Sequence, residues 1–127
     1  MNTKAQHDPL QRCASMAEIR SFNGKQVRLI GTYLSVALYK GPKRKDVDPV
    51  QAVIRLDDGE EVLLEPNWSP ASRRDQAERD QFENRRVAVE GSIHMRCPES
   101  PQPVASIIGP CIRSVRSIRL LSEEGDS

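Results

Sequence analysis

The chain is poor in the residue types that announce chemistry. Its three cysteines, Cys13, Cys97 and Cys111, show neither CxxC nor CxC spacing. No disulfide framework or zinc site is therefore indicated, and buried thiols are expected. Aromatics make up 4% of the residues, namely Phe22, Tyr33, Tyr39, Trp68 and Phe82, which leaves little material for a row of stacking platforms. No apolar run approaches the ~20 residues of a membrane span. Residues 1–8 are polar and lack the apolar stretch of a secretory signal, so a cytoplasmic location and no membrane contact are expected. The net charge is +1, so nothing global draws the chain to nucleic acid or lipid, and any electrostatic footprint must be local. HExxH, P-loop and GxSxG motifs are absent. His7 lies in a polar stretch, His94 at a strand end, and Asp57-Asp58 is explained by a hairpin turn. Neither catalysis nor a cofactor or metal is expected.

What is present is a repeat. Residues 22–32, FNGKQVRLIGT, match residues 82–92, FENRRVAVEGS, in type at almost every position. Each has an aromatic anchor, a polar turn, a basic residue, two apolar residues in alternation, and then Gly. Period-two alternation marks a half-buried strand. A Gly inside such a strand, here Gly31 and Gly91, predicts a bulge or sharp bend. Two strands that bend at matched glycines suggest a small, strongly coiled sheet. At 127 residues, one domain with a modest core is expected.

Residues 1–14 show no period and are expected to be a mobile tail. Ser15 and Glu18 have capping-box spacing and predict a short helical turn. The first strand is expected over residues 25–39, with Val27 and Leu29 on one face and Arg28 and Ile30 on the other. Residues 40–49 read as a charged, Pro-containing loop. The second strand covers 51–56, the Asp-Asp-Gly turn follows, and the third covers 61–65. The register that sets Leu56 opposite Val62 and Ile54 opposite Leu64 gives one uniformly apolar face. The other face then carries Val53, Arg55, Leu63 and Glu65. Ser69-Pro70 starts a helix over residues 71–82, whose thin apolar face suits a plug for one end of the sheet. The fourth strand covers 86–95, a Pro-rich loop follows, the fifth strand covers 111–121, and residues 122–127 form an acidic tail.

Strand, strand, strand, helix, strand, strand is the element order of an OB-fold. The chain resembles OB domains of the tRNA anticodon-binding-like kind, which carry G-K-x-V-x-V-x-G, a later L-x-D-G and a second R-x-V-x-V-x-G. Here these are residues 24–31, 56–59 and 85–91, and the resemblance spans residues 22–121. It implies an all-β domain over 15–121: a five-stranded Greek-key barrel with a helix between strands three and four. Val27, Leu29, Ile54, Leu56, Val62, Leu64, Val87, Val89, Ile112 and Ile118 are expected in its core.

OB domains of this kind bind single strands across strands two and three and the flanking loops. The candidate nucleic-acid residues are therefore Lys40, Lys43, Arg44 and Lys45 in the first loop, with Arg55, Tyr39 and Trp68. Arg28, Arg86, Arg96, Arg113, Arg116 and Arg119 could add charge, and Tyr33 could stack. The rival is a protein partner or a second copy, met by a mixed face showing Val53 and Leu63 beside Arg55 and Glu65. In either case the expectation is a non-catalytic binding module, working as an accessory subunit or homo-oligomer.

Overall fold

The structure is a computed structural model and describes residues 10–37, 50–66, 69–99 and 109–121. Strands dominate: β1 (Gln11–Cys13), β2 (Gln26–Ala37), β3 (Val50–Arg55), β4 (Glu61–Leu64), β5 (Arg86–His94) and β6 (Cys111–Leu120). Two short helices, α1 (Met16–Ser21) and α2 (Gln76–Phe82), precede β2 and β5. No helix among the described residues is long and apolar enough to cross a membrane.

The pairings close on themselves. β2 pairs antiparallel with β3 and also with β5, β3 with β4, and β5 with β6. A short parallel contact of β4 with β6 completes the circuit. Inward residues of all five strands form the main core, including Val27, Leu29, Ile54, Val62, Leu64, Val87, Val89 and Ile112. Ile118, expected with them, is half-buried and packs at the margin.

Six strands form where five were expected. The sixth, β1, lies inside the stretch read as a tail and runs parallel to β2, with Gln11 opposite Val27. Three residues are too few to display a period. The reason for the strand is on its partner: Ile30 points outward, opposite Ala88, and both are fully buried with Ala14 above them. Burying a side chain of that size is worth about 2 kcal/mol. Ser15 caps α1 by accepting from the Glu18 N–H, and the Glu18 carboxylate reaches back to the Ala14 N–H at 2.8 Å. The capping box is therefore real, displaced by one residue at its return bond.

The β3–β4 register differs by two residues from the expected one. Ile54 faces Val62 and Arg55 faces Glu61. The Leu56 N–H donates to the Glu60 carbonyl at 2.7 Å, so the turn is Asp57-Asp58-Gly59. A slip of two conserves the faces, and Ile54, Leu56, Val62 and Leu64 still point inward. The turn carboxylates explain the tight closure. Asp58 accepts from the Glu60 and Met16 N–H groups, and Asp57 pairs with Arg86 at 2.9 Å.

The single helix expected over residues 71–82 is broken. Ser69 caps only a 3-10 turn, Pro70–Ser72, and the chain is extended at Arg73 and Asp75 before α2 begins. The Ser72 hydroxyl donates to the Ser69 carbonyl at 2.8 Å, competing with helical bonding. Arg74 bonds back to the Ala71 carbonyl and forward to Glu78, holding the break in place.

Gly31 and Gly91 both sit where β2 and β5 are pressed against a neighbour. A Cβ at Gly31 would strike the Arg55 carbonyl, and one at Gly91 would lie 2.7 Å from the Arg113 carbonyl. At Gly31 the strand changes partner from β5 to β3. At Gly91 the β5–β6 register shifts, a bulge that spans residues 114–116 of β6.

Candidate functional site

The outer face of β3 and β4 is covered. Val53 and Leu63 are 2% and 8% exposed and form a second apolar cluster with Cys97 and Cys111, flanked by Leu34 and Val36. Glu65, expected on the same open face, is buried too. The mixed surface that a protein partner was expected to meet is therefore not on offer at these residues. Sequence pattern placed Val53 and Leu63 on the correct side of the sheet. It could not show that Cys97, just past β5, packs against them.

Of the candidate nucleic-acid residues, Arg55 alone is described. It is exposed, and its guanidinium meets Glu61 across the hairpin at 3.0 Å. An exposed pair of this kind contributes about 0–1 kcal/mol to stability, yet it cancels the charge. Arg28 and Arg86 are compensated likewise, by Glu90 at 3.1 Å and by Asp57. Lys40, Lys43, Arg44, Lys45, Tyr39 and Trp68 lie outside the described residues. Tyr39 and the four basic residues fall between Ala37 and Val50, the terminal pair of the β2–β3 ladder, and Trp68 falls between β4 and Ser69. Arg116 and Arg119 of β6 are exposed.

The helix-covered end carries a polar network whose members lie far apart in sequence. Tyr33, considered as a stacker, is fully buried under α2, its ring 5.9 Å from that of Phe82. Its hydroxyl donates to Glu78 at 2.8 Å. Arg74 donates to both oxygens of the same carboxylate, at 2.7 and 2.8 Å. Burial alone would raise the Glu78 carboxyl, but the Arg74 and Tyr33 bonds outweigh it and hold the group below its ordinary range. Burial, then the bond to Glu78, pushes the Tyr33 phenol up. The i, i+4 spacing of Arg74 and Glu78 was a legible signal for this pair. Beside it, α2 and β6 border an open groove of about 380 Å³, with Phe82, Val115 and Ile118 as its apolar floor and Arg116 and Gln81 at its rim.

Glu65 ties this end to the bulge. Its backbone is left-handed, with φ of 72°. Its N–H donates to the Ile112 carbonyl at 2.9 Å, and its carboxylate accepts from the Val115 N–H at 3.1 Å. Gln51, also buried, donates to the Ala52, Leu64 and Glu65 carbonyls. These groups satisfy one another and hold the irregular joint between β4 and β6. The imidazole of His94, at the end of β5, is lowered by burial and then by the Arg113 guanidinium. No cluster of metal-ligating side chains occurs among the described residues. Compared with family models, curated proteins and solved structures, the chain gives no match in any of the three.

Proposed function

We propose that the chain is a non-catalytic binding module of the OB type that holds single-stranded nucleic acid through phosphate contacts. The observation that carries the reading is the strand circuit. Five strands close through a parallel contact between the third and fifth of them, and α2 falls between the third and fourth. Such a circuit supports the OB reading, because OB barrels close their strands in this order; β1 would then be an addition along β2.

The charge distribution then directs the mode of binding. Arg28, Arg55 and Arg86 are spoken for by carboxylates. The attraction must come from Lys40, Lys43, Arg44 and Lys45 in the β2–β3 connection, supplemented by Arg116 and Arg119. Val53 and Leu63 are covered, so the strand face supplies no apolar bed for bases. Stacking falls to Tyr39 and Trp68, each worth about 1–3 kcal/mol per base if engaged. Such a module binds with a steep salt dependence and little sequence preference.

The test is titration of short single-stranded DNA and RNA across salt concentrations. The expected log–log slope is about −0.7 per phosphate neutralised on a single strand. Changing Lys43, Arg44 and Lys45 together to Glu should abolish binding while leaving the thermal midpoint unchanged. No binding by the parent at low salt removes the nucleic-acid reading. A protein partner then takes first place, on a surface other than that of Val53 and Leu63.

A further inference from the structure

The three cysteines are all free and buried, but they are not equivalent. Cys13 ends β1 inside the main core. Cys97 and Cys111 share the outer cluster with Val53 and Leu63. Cys111 opens β6 directly opposite His94, the last residue of β5. Cys97 lies just past His94, and its N–H donates to the Gly109 carbonyl at 2.6 Å. The two ends of the β5–β6 connection are thus held side by side, and the two thiols pack in the same buried cluster. We propose that Cys97 and Cys111 form a reversible dithiol–disulfide site that staples the two ends of the β5–β6 connection.

The environment divides the labour between the sulfurs. Hydrogen bonding with Cys111, aided by the nearby Arg113 guanidinium, lowers Cys97 against the opposing effect of burial. The same bond and its own burial raise Cys111. Cys97 therefore ionises first, and Cys111 keeps its proton. These are the properties of an attacking thiolate and a resolving thiol. Cys13 has neither asset: burial, then Glu18, pushes it up to about 11.

With hydrogen peroxide as oxidant the chemistry balances. The Cys97 thiolate attacks one peroxide oxygen, the O–O bond breaks, and Cys97 becomes a sulfenic acid while hydroxide leaves and is protonated to water. The Cys111 sulfur then attacks the Cys97 sulfur. An S–S bond forms, the S–OH bond breaks, and the departing hydroxide takes the Cys111 proton as a second water. Two thiols and one hydrogen peroxide give one disulfide and two waters. An added dithiol reverses the step by exchange, becoming a disulfide itself. Cys97 is 3% exposed, so peroxide reaches it through local opening of the cluster it shares with Val53, Leu63 and Cys111.

The experiment treats the full chain with hydrogen peroxide, then blocks remaining thiols with an alkylating agent under denaturing conditions. The expected product is a monomer two mass units lighter before alkylation, carrying one label, on Cys13. Peptide mapping should join Cys97 to Cys111, and dithiothreitol should restore three labels. Closing this loop should raise the thermal midpoint by roughly 5–15 °C. Cys97→Ser should lose the mass change and the rise in midpoint, whereas Cys13→Ser should keep both. Should Cys111→Ser fail to fold, Cys97→Ser and the mapped crosslink still decide. Three labels after oxidation, a disulfide that involves Cys13, a crosslink between two chains, or Cys97 driven to the sulfinic acid without an S–S bond would each overturn the assignment.

Discussion

Residues 15–35 and 75–95 run the same course and end differently. Ser15 and Asp75 are the N-caps of α1 and α2. Gly24 and Asn84, sixty residues apart, both take left-handed backbone, with φ of 84° and 65°. The Gly24 N–H donates to the Ile93 carbonyl and the Asn84 N–H to the Tyr33 carbonyl, so each turn docks on the other strand just past one end of the β2–β5 ladder. β2 and β5 pair with each other about Leu29 and Val89, which places Gly31 against Val87 and Gly91 against Val27. The repeat seen in eleven residues of sequence thus extends back through both helices and forms its own antiparallel pair.

The differences show what each copy does. Glu18 spends its carboxylate on the start of its own helix, at the Ala14 N–H. Glu78, at the equivalent place, is drawn away to Arg74 and Tyr33, and Asp75 makes no side-chain cap bond. Phe82 is 6% exposed, whereas Phe22 is half-buried. The first copy thus closes on itself, and the second is built into the core it covers. Past the glycines, β2 continues to Ala37 along β3, while β5 ends at His94 after a bulge.

Substitutions at matched positions test that asymmetry. Gly31→Val should be the most damaging, at about 3–4 kcal/mol, because its Cβ meets a carbonyl fixed in the β2–β3 ladder. Phe82→Ala should cost about 3 kcal/mol and Phe22→Ala about 1–2, since truncation costs scale with the cavity left behind. Gly91→Val should cost about 2 kcal/mol, as the bulged segment of β6 can yield. Denaturant unfolding of the four variants measures these values. Equal losses within either pair, or a larger loss at Gly91, would break the comparison.

The smallest effect is expected at Glu78, and it depends on pH. Its carboxyl is held below the ordinary value near 4.3. Its stabilising contribution is therefore complete above that value and is lost as pH falls through the lowered one. Glu78→Gln should cost about 1–2 kcal/mol at neutral pH. The gap between parent and variant should narrow below about pH 4. A gap that stays constant down to pH 2 would remove the charge from the account.

Alternation, glycines and turn residues carried the β-rich class, the places of β2 to β6, the position of α2 in the order and the main core residues. These are local signals, because backbone pleat and turn geometry impose periods of two and fixed turn chemistry on neighbouring residues. β1 escaped because three residues show no period. The broken helix escaped because Ser72 and Arg74 compete for backbone groups only in a particular folded geometry. The hairpin parity was legible while its exact register was not, since a shift of two keeps every side chain on its face.

The candidate site divides along the same line. Which residues carry charge could be read from the chain, but not which charges survive pairing. Glu61, Asp57 and Glu90 cancel Arg55, Arg86 and Arg28 across strands brought together from up to sixty-two positions away. Nor could the chain show that Val53 and Leu63 are covered, or that Cys97 and Cys111 meet. Residue type and spacing determine what each segment can form on its own. Coverage, charge cancellation and thiol contact are properties of pairs, and only the closed strand circuit decides which pairs exist.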